Sequence, residues 1–180
     1  AADCEIGSEA ELRSFGLQLF EAAAYLHQCG ILYADFKRAN LRWNKNSLCV
    51  IDFDCSIEYN AAQPPRGPFG TPGYRAPEVR DPQRPAVDLR ADTWSCGVVL
   101  LHEMLRIHAG RMAADVALEE RLVVPHAVKL LNACDEPFAM LSLEAQQLIE
   151  AMLCIDPQQR ICDEALLKHP FVVQQASSAN

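Results

Sequence analysis

The hydrophobic and polar positions near the start of the chain repeat at helical intervals. Apolar residues recur three or four positions apart from Leu12 to Leu26. Ser8 and Glu11 have the spacing of a capping box, in which the two side chains bind backbone N–H groups of the first turn. The pattern therefore predicts an amphipathic helix over Glu9–Gln28.

Two short apolar segments follow this helix. Leu41–Trp43 and Leu48–Ile51 flank an Asn-Lys-Asn-Ser tetrapeptide of turn-forming residues, which predicts a short β-hairpin. The next stretch, Gln63–Pro85, carries seven of the eleven prolines, so most of it is expected to lack regular structure.

The second half of the chain is predicted to be mainly helical. Asp92–Leu105 is apolar on most sides, which is typical of a helix in the middle of the core. Four further helices are predicted, over Ala113–Arg121, Val124–Asn132, Leu143–Cys154 and Glu164–His169. The last residues, 173–180, are expected to form a frayed tail.

Composition narrows the class of protein. The length of 180 residues fits one domain, and the net charge of -8 argues against a nucleic acid or an anionic membrane surface as a general partner. The apolar runs are too short to span a bilayer. Eight cysteines without a C-x-x-C pair are typical of free thiols. We therefore expect a soluble intracellular protein of the cytoplasm or nucleus.

The stretch YADFKRAN, Tyr33–Asn40, places an acid, a base and an amide between the first helix and the hairpin. Asp35, Lys37 and Asn40 are thus predicted to lie in a loop, where functional residues concentrate. On their own, the acid and the amide would read as ordinary turn and cap residues.

Three further motifs change that interpretation. They are VIDFD (Val50–Asp54), GTPGYRAPE (Gly70–Glu78) and DTWSCG (Asp92–Gly97). In this order, and together with YADFKRAN, they resemble the protein kinase family, specifically its larger C-terminal catalytic lobe. The resemblance extends to the HPF motif at His169–Phe171. It implies a mainly α fold, a kinase-like C-terminal lobe over residues 1–172, with a short β-hairpin at the catalytic loop.

The resemblance also implies roles for individual residues in phosphoryl transfer, which requires positioning and charge neutralisation. Asp35 would accept the proton of the substrate hydroxyl, and Lys37 would steady the transferred phosphate of ATP. Asn40 and Asp52 would bind the magnesium ions that hold the nucleotide. Lys37 together with Thr71 resembles the serine/threonine-directed members of the family.

Other matched residues would be structural. Glu78 and Arg160 match a buried ion pair that ties the activation segment, residues 52–78, to the later helices. Asp92 resembles the acid that braces the catalytic loop from beneath, although an acid there could also be a simple N-cap. Phe53 would pack against the aromatic side chain of Tyr33.

Two positions depart from the family pattern. Ala34 replaces the arginine that usually pairs with a phosphate on the activation loop, so any activity is expected not to depend on phosphorylation of Ser56, Tyr59 or Thr71. Asp54 replaces the usual glycine, which would restrict the backbone there. Its carboxylate would either weaken phosphate binding or supply an extra metal ligand.

The sequence contains no G-x-G-x-x-G loop and no match to the N-terminal β lobe of the family. The first hypothesis is a serine/threonine kinase that uses ATP and magnesium on a protein substrate, with the isolated chain inactive. The N-terminal lobe, or a partner, would then cover the open cleft. The alternative is a pseudokinase scaffold or assembly subunit without catalysis.

Overall fold

The computed structural model describes residues 4–80, 86–109 and 141–173. The helices predicted over Ala113–Arg121 and Val124–Asn132 lie outside the described residues, as do residues 81–85 of the proline-rich stretch and residues 174–180 of the tail.

Six α-helices lie in the described part of the chain. They are α1 (Glu9–Gln28), α2 (Pro77–Arg80), α3 (Arg90–Ala109), α4 (Leu143–Met152), α5 (Asp163–Leu167) and α6 (Pro170–Val173). The predicted first helix is confirmed at both ends. Ser8 Oγ accepts the N–H of Glu11 at 3.2 Å, while the Glu11 carboxylate accepts the N–H of Gly7 rather than that of Ser8.

Four short strands form two antiparallel sheets. The strands are β1 (Ile31–Leu32), β2 (Leu41–Trp43), β3 (Leu48–Val50) and β4 (Ile57–Glu58). The β2–β3 hairpin confirms the prediction, with Leu41 paired to Val50 and Trp43 paired to Leu48. The sequence analysis did not predict the β1–β4 pair, because strands of two residues are too short to show an alternating pattern.

The central helix α3 carries much of the core. Trp94 and Leu100 are fully buried on it, and α1 and α4 pack against it. Gly97 permits the close approach of α4, because a Cβ atom at this position would lie 2.9 Å from Cβ of Met152. No helix among residues 4–80, 86–109 and 141–173 has both the length and the apolar character needed to cross a membrane.

Candidate active site

Asp92 binds the backbone of the predicted catalytic loop, Tyr33–Asn40. Its carboxylate accepts the N–H of Tyr33 at 2.7 Å and the N–H of Ala34 at 2.8 Å. Helix α3 begins at Arg90, so Asp92 lies in its first turn, and its side chain binds the loop rather than capping the helix. Ala34 adopts a left-handed φ of 68°, which these two hydrogen bonds stabilise.

A buried histidine, His27, contacts Asp92, and the sequence analysis did not identify it. His27 Nε2 lies 3.2 Å from Asp92, and Nδ1 lies 2.7 Å from Asp163 on α5. Burial alone would lower the pKa of His27, but the hydrogen bonds and charges of the two carboxylates outweigh it and raise the pKa to about 9. His27 is therefore a cation at neutral pH. A lone histidine on a helix gives no sequence signal for this role.

The carboxylate of Asp35 is buried and accepts four hydrogen bonds. Lys37 Nζ and Asn40 Nδ2 donate to Oδ2 at 2.7 and 3.0 Å. The backbone N–H and the hydroxyl of Thr71 donate to Oδ1 at 2.9 and 2.6 Å. Because a carboxylate offers about four acceptor positions, this arrangement fills them all.

These contacts keep Asp35 ionised. Burial on its own would raise the pKa of Asp35, but the hydrogen bonds from Lys37 and Thr71 and the positive charge of Lys37 lower it below its usual value. Lys37 Nζ also donates to Thr71 Oγ1 at 2.9 Å. The acid, the ammonium group and the threonine hydroxyl thus form one closed cluster.

The two residues predicted to bind magnesium present oxygen atoms of the right chemistry. The amide nitrogen of Asn40 is directed at Asp35, which leaves the amide oxygen for another partner. Asp52 is exposed and has a left-handed φ of 65°. Carboxylate and amide oxygens suit a hard cation that keeps several waters or phosphate oxygens. The described residues contain no separate cluster of three or more His, Cys, Asp or Glu side chains that could hold a metal.

Tyr33 links the catalytic loop to the segment after β3. Its ring packs edge-on against Phe53 with centroids 5.3 Å apart, and its hydroxyl donates to the carbonyls of Ile51 and Asp52. Burial raises the pKa of the Tyr33 hydroxyl, so this group stays a proton donor. Phe53 is nevertheless 48% exposed.

The activation segment is tied to the later helices by Glu78 and Arg160. The Arg160 guanidinium donates to both carboxylate oxygens of Glu78, and it also donates to the carbonyls of Cys154 and Arg90. Both side chains are buried. The two residues, 82 positions apart in the sequence, are therefore in direct contact.

Comparison with known sequences shows which family this chain belongs to. The sequence profile of the protein kinase domain matches residues 3–172. The chain is 31% identical to calcium/calmodulin-dependent protein kinase type II of Caenorhabditis elegans, over 93% of this chain and 23% of that protein. It is 30% identical to cyclin-dependent kinase F-4 of Oryza sativa subsp. japonica, over 91% of this chain and 40% of that protein.

A third relative gives the same result. The chain is 30% identical to the phosphorylase b kinase gamma catalytic chain, liver/testis isoform, of Mus musculus, over 91% of this chain and 41% of that protein. The chain thus spans between about a quarter and two-fifths of the length of these curated relatives. With the domain profile covering nearly all of its residues, the chain belongs to the protein kinase family.

Proposed function

We propose that this chain is the C-terminal catalytic lobe of a serine/threonine protein kinase, which transfers the gamma phosphate of ATP to a protein hydroxyl. The observation that carries the proposal is the buried, ionised carboxylate of Asp35, oriented by Lys37, Asn40 and Thr71. Such a carboxylate is suited to accept the proton of a substrate hydroxyl. The names of the relatives, all protein kinases, support the same reaction class.

In this proposal the Lys37 side chain moves between two positions during the reaction. Its ammonium group now bridges Asp35 and Thr71, at 2.7 and 2.9 Å. All the acceptor positions of Asp35 are occupied, so a substrate hydroxyl needs one donor to leave. Lys37 is the donor most suited to leave, because its flexible side chain can turn toward the negative charge of the transferred phosphate.

Asn40 and Asp52 would hold the magnesium ions. When bound, magnesium and ATP would supply the transferable phosphoryl group and neutralise its negative charge. The role of this chain would be to direct the amide oxygen of Asn40 and the carboxylate of Asp52 at that site. Asn40 is fixed for this by its two hydrogen bonds to Asp35.

An N-terminal lobe or a partner protein would complete the ATP cleft. Phe53 lies beside Asp52 and is 48% exposed. We propose that an N-terminal lobe or a partner, formed by residues outside this sequence, packs on Phe53 and covers the phosphates. The isolated chain would then have little activity.

The test is phosphoryl transfer from labelled magnesium ATP to a mixed pool of serine and threonine peptides, using the longest natural form of the protein. Asp35→Asn should abolish transfer, because an amide cannot accept the proton. Glu21→Gln, a change at an exposed acid on the outer face of α1, is the matched control and should leave transfer intact. Transfer that survives in Asp35→Asn would contradict the proposal.

Two departures from the family pattern, Ala34 and Asp54, favour one alternative, a kinase-derived scaffold without catalysis. A well-folded natural form that neither transfers phosphate nor binds magnesium ATP would support the scaffold. Binding of magnesium ATP that is weakened by Asp52→Asn would instead support the kinase, even before a substrate is found.

A further inference from the structure

One residue of the activation segment, Thr71, holds the Oδ1 side of the Asp35 carboxylate. Thr71 supplies both donors to Asp35 Oδ1, from its backbone N–H and from its hydroxyl. The N–H belongs to the peptide between Gly70 and Thr71. Any rotation of that peptide would withdraw its N–H from the carboxylate and shift the Thr71 side chain with it.

That peptide lies directly on the catalytic loop. Gly70 has a left-handed φ of 74°, and a Cβ atom placed there would be 2.1 Å from the carbonyl oxygen of Ala34. Only glycine allows this approach. The side chain of Ala34 has no polar atom that could bind this peptide.

Arg75 supplies the missing contact. Its Nε donates to the carbonyl oxygen of Gly70 at 2.9 Å, and its Nη2 donates to the same oxygen. A peptide group is planar, with its C=O and N–H pointing in opposite directions. Arg75 therefore binds the C=O of this peptide, while Asp35 accepts its N–H. Together the two contacts fix the rotation of the peptide plane.

The backbone of Arg75 is itself anchored. Arg80 Nε donates to the carbonyl of Arg75 at 3.1 Å, and Ser95 Oγ on α3 donates to the neighbouring carbonyl of Tyr74 at 2.8 Å. The guanidinium also brings a positive charge to the carbonyl end of the peptide. That charge polarises the peptide and strengthens the hydrogen bond from its N–H to Asp35.

We propose that Arg75 is a positioning residue that orients the carboxylate of Asp35 through the Gly70–Thr71 peptide. This inference deepens the proposed function, since Asp35 is the base of the proposed reaction.

The experiment measures hydrogen exchange of the Thr71 amide by NMR in the full chain, together with kcat and KM in the longest natural form. In Arg75→Gln the Gly70–Thr71 peptide should lose its fixed orientation, so the Thr71 N–H should exchange about tenfold faster. The value of kcat should fall about tenfold, as expected for a misplaced base, while KM for magnesium ATP stays unchanged. Arg75→Lys keeps the charge and one donor, and should partly restore both the slow exchange and kcat.

Arg66→Gln is the matched control, because Arg66 is an exposed arginine of the same segment, and the Thr71 N–H should exchange in this variant as in the wild type. Wild-type exchange of the Thr71 N–H in a folded Arg75→Gln protein would overturn the inference. If that variant fails to fold, Arg75→Lys carries the same test, with a smaller increase in exchange expected and unchanged exchange overturning the inference. Faster exchange in a protein without phosphoryl transfer would support the positioning role and contradict the proposed function alone.

Discussion

The guanidinium of Arg160 holds both carboxylate oxygens of Glu78, at 2.7 and 3.0 Å, and neither side chain is exposed by more than 2%. Arg160→Ala should leave a buried carboxylate without a counter-charge, which typically costs about 3–5 kcal/mol. We expect a marked fall in the melting temperature, measured by thermal unfolding followed by circular dichroism.

The matched control is a surface ion pair. Lys168 and Glu164 are 2.7 Å apart but 72% and 79% exposed, so Lys168→Ala should change the melting temperature little. If Arg160→Ala melted like Lys168→Ala, Glu78 and Arg160 would not be stabilising the activation segment.

Glu103 is a buried carboxylate shared by two arginines. Its two oxygens accept from Arg38 at 3.1 Å and from Arg106 at 3.0 Å, and Arg38 directly follows Lys37 of the catalytic loop. Glu103→Gln keeps the shape but removes the charge that pairs with both guanidinium groups. We expect a loss of about 3 kcal/mol in the free energy of unfolding, measured with urea.

Glu5 offers the comparison for that experiment. It lies 3.4 Å from Arg106 but is 76% exposed, so Glu5→Gln should have little effect on the free energy of unfolding. Equal losses in the two variants would mean that burial at Glu103 adds nothing to its ion pairs.

Tyr33 supports the segment around Asp52 through its hydroxyl. Tyr33→Phe keeps the ring contacts with Phe36 and Phe53 but removes the donor to the carbonyls of Ile51 and Asp52. The expected loss is about 0.5–1.5 kcal/mol in the free energy of unfolding. Tyr25→Phe, at a tyrosine that is 66% exposed, should cause no measurable loss. Equal stability of the two variants would show that the hydroxyl of Tyr33 contributes nothing.

The sequence predicted the elements whose patterns are long or specific. Glu9–Gln28 has five helical turns of regular apolar spacing, and the hairpin has a turn-forming tetrapeptide between two apolar runs. The contacts of Asp35 with Lys37 and Asn40 follow from their closeness in the chain. The paired positions of Glu78 and Arg160 came from the resemblance to the kinase family and not from any spacing rule.

The contacts that the sequence did not predict depend either on packing between residues far apart in the chain or on local backbone angles. His27 contacts Asp92 and Asp163 only because the helices α1, α3 and α5 pack together. The hydrophobic periodicity of the sequence does not predict that packing. The contact between Arg75 and the carbonyl of Gly70 depends on backbone dihedral angles within a proline-rich loop. Side-chain type alone does not give such angles.

His27 makes stability depend on pH in a definite direction. Its pKa is about 9 in the folded protein against 6.5 for an ordinary histidine, so folding favours the protonated form. The contribution, on the order of 3 kcal/mol, is fully present below pH 6.5 and is lost as the pH rises through about 9. We expect the free energy of unfolding of the wild type to exceed that of His27→Gln most at low pH.

The measurement is urea unfolding of both proteins at several values between about pH 6 and about pH 10. Asp163→Asn removes one of the two carboxylates that raise the pKa of His27, and should move the decline in stability to lower pH. A difference between wild type and His27→Gln that stays constant across the range would mean that folding does not shift the pKa of His27. Asp92 would then bind the catalytic loop without a protonated His27 beside it.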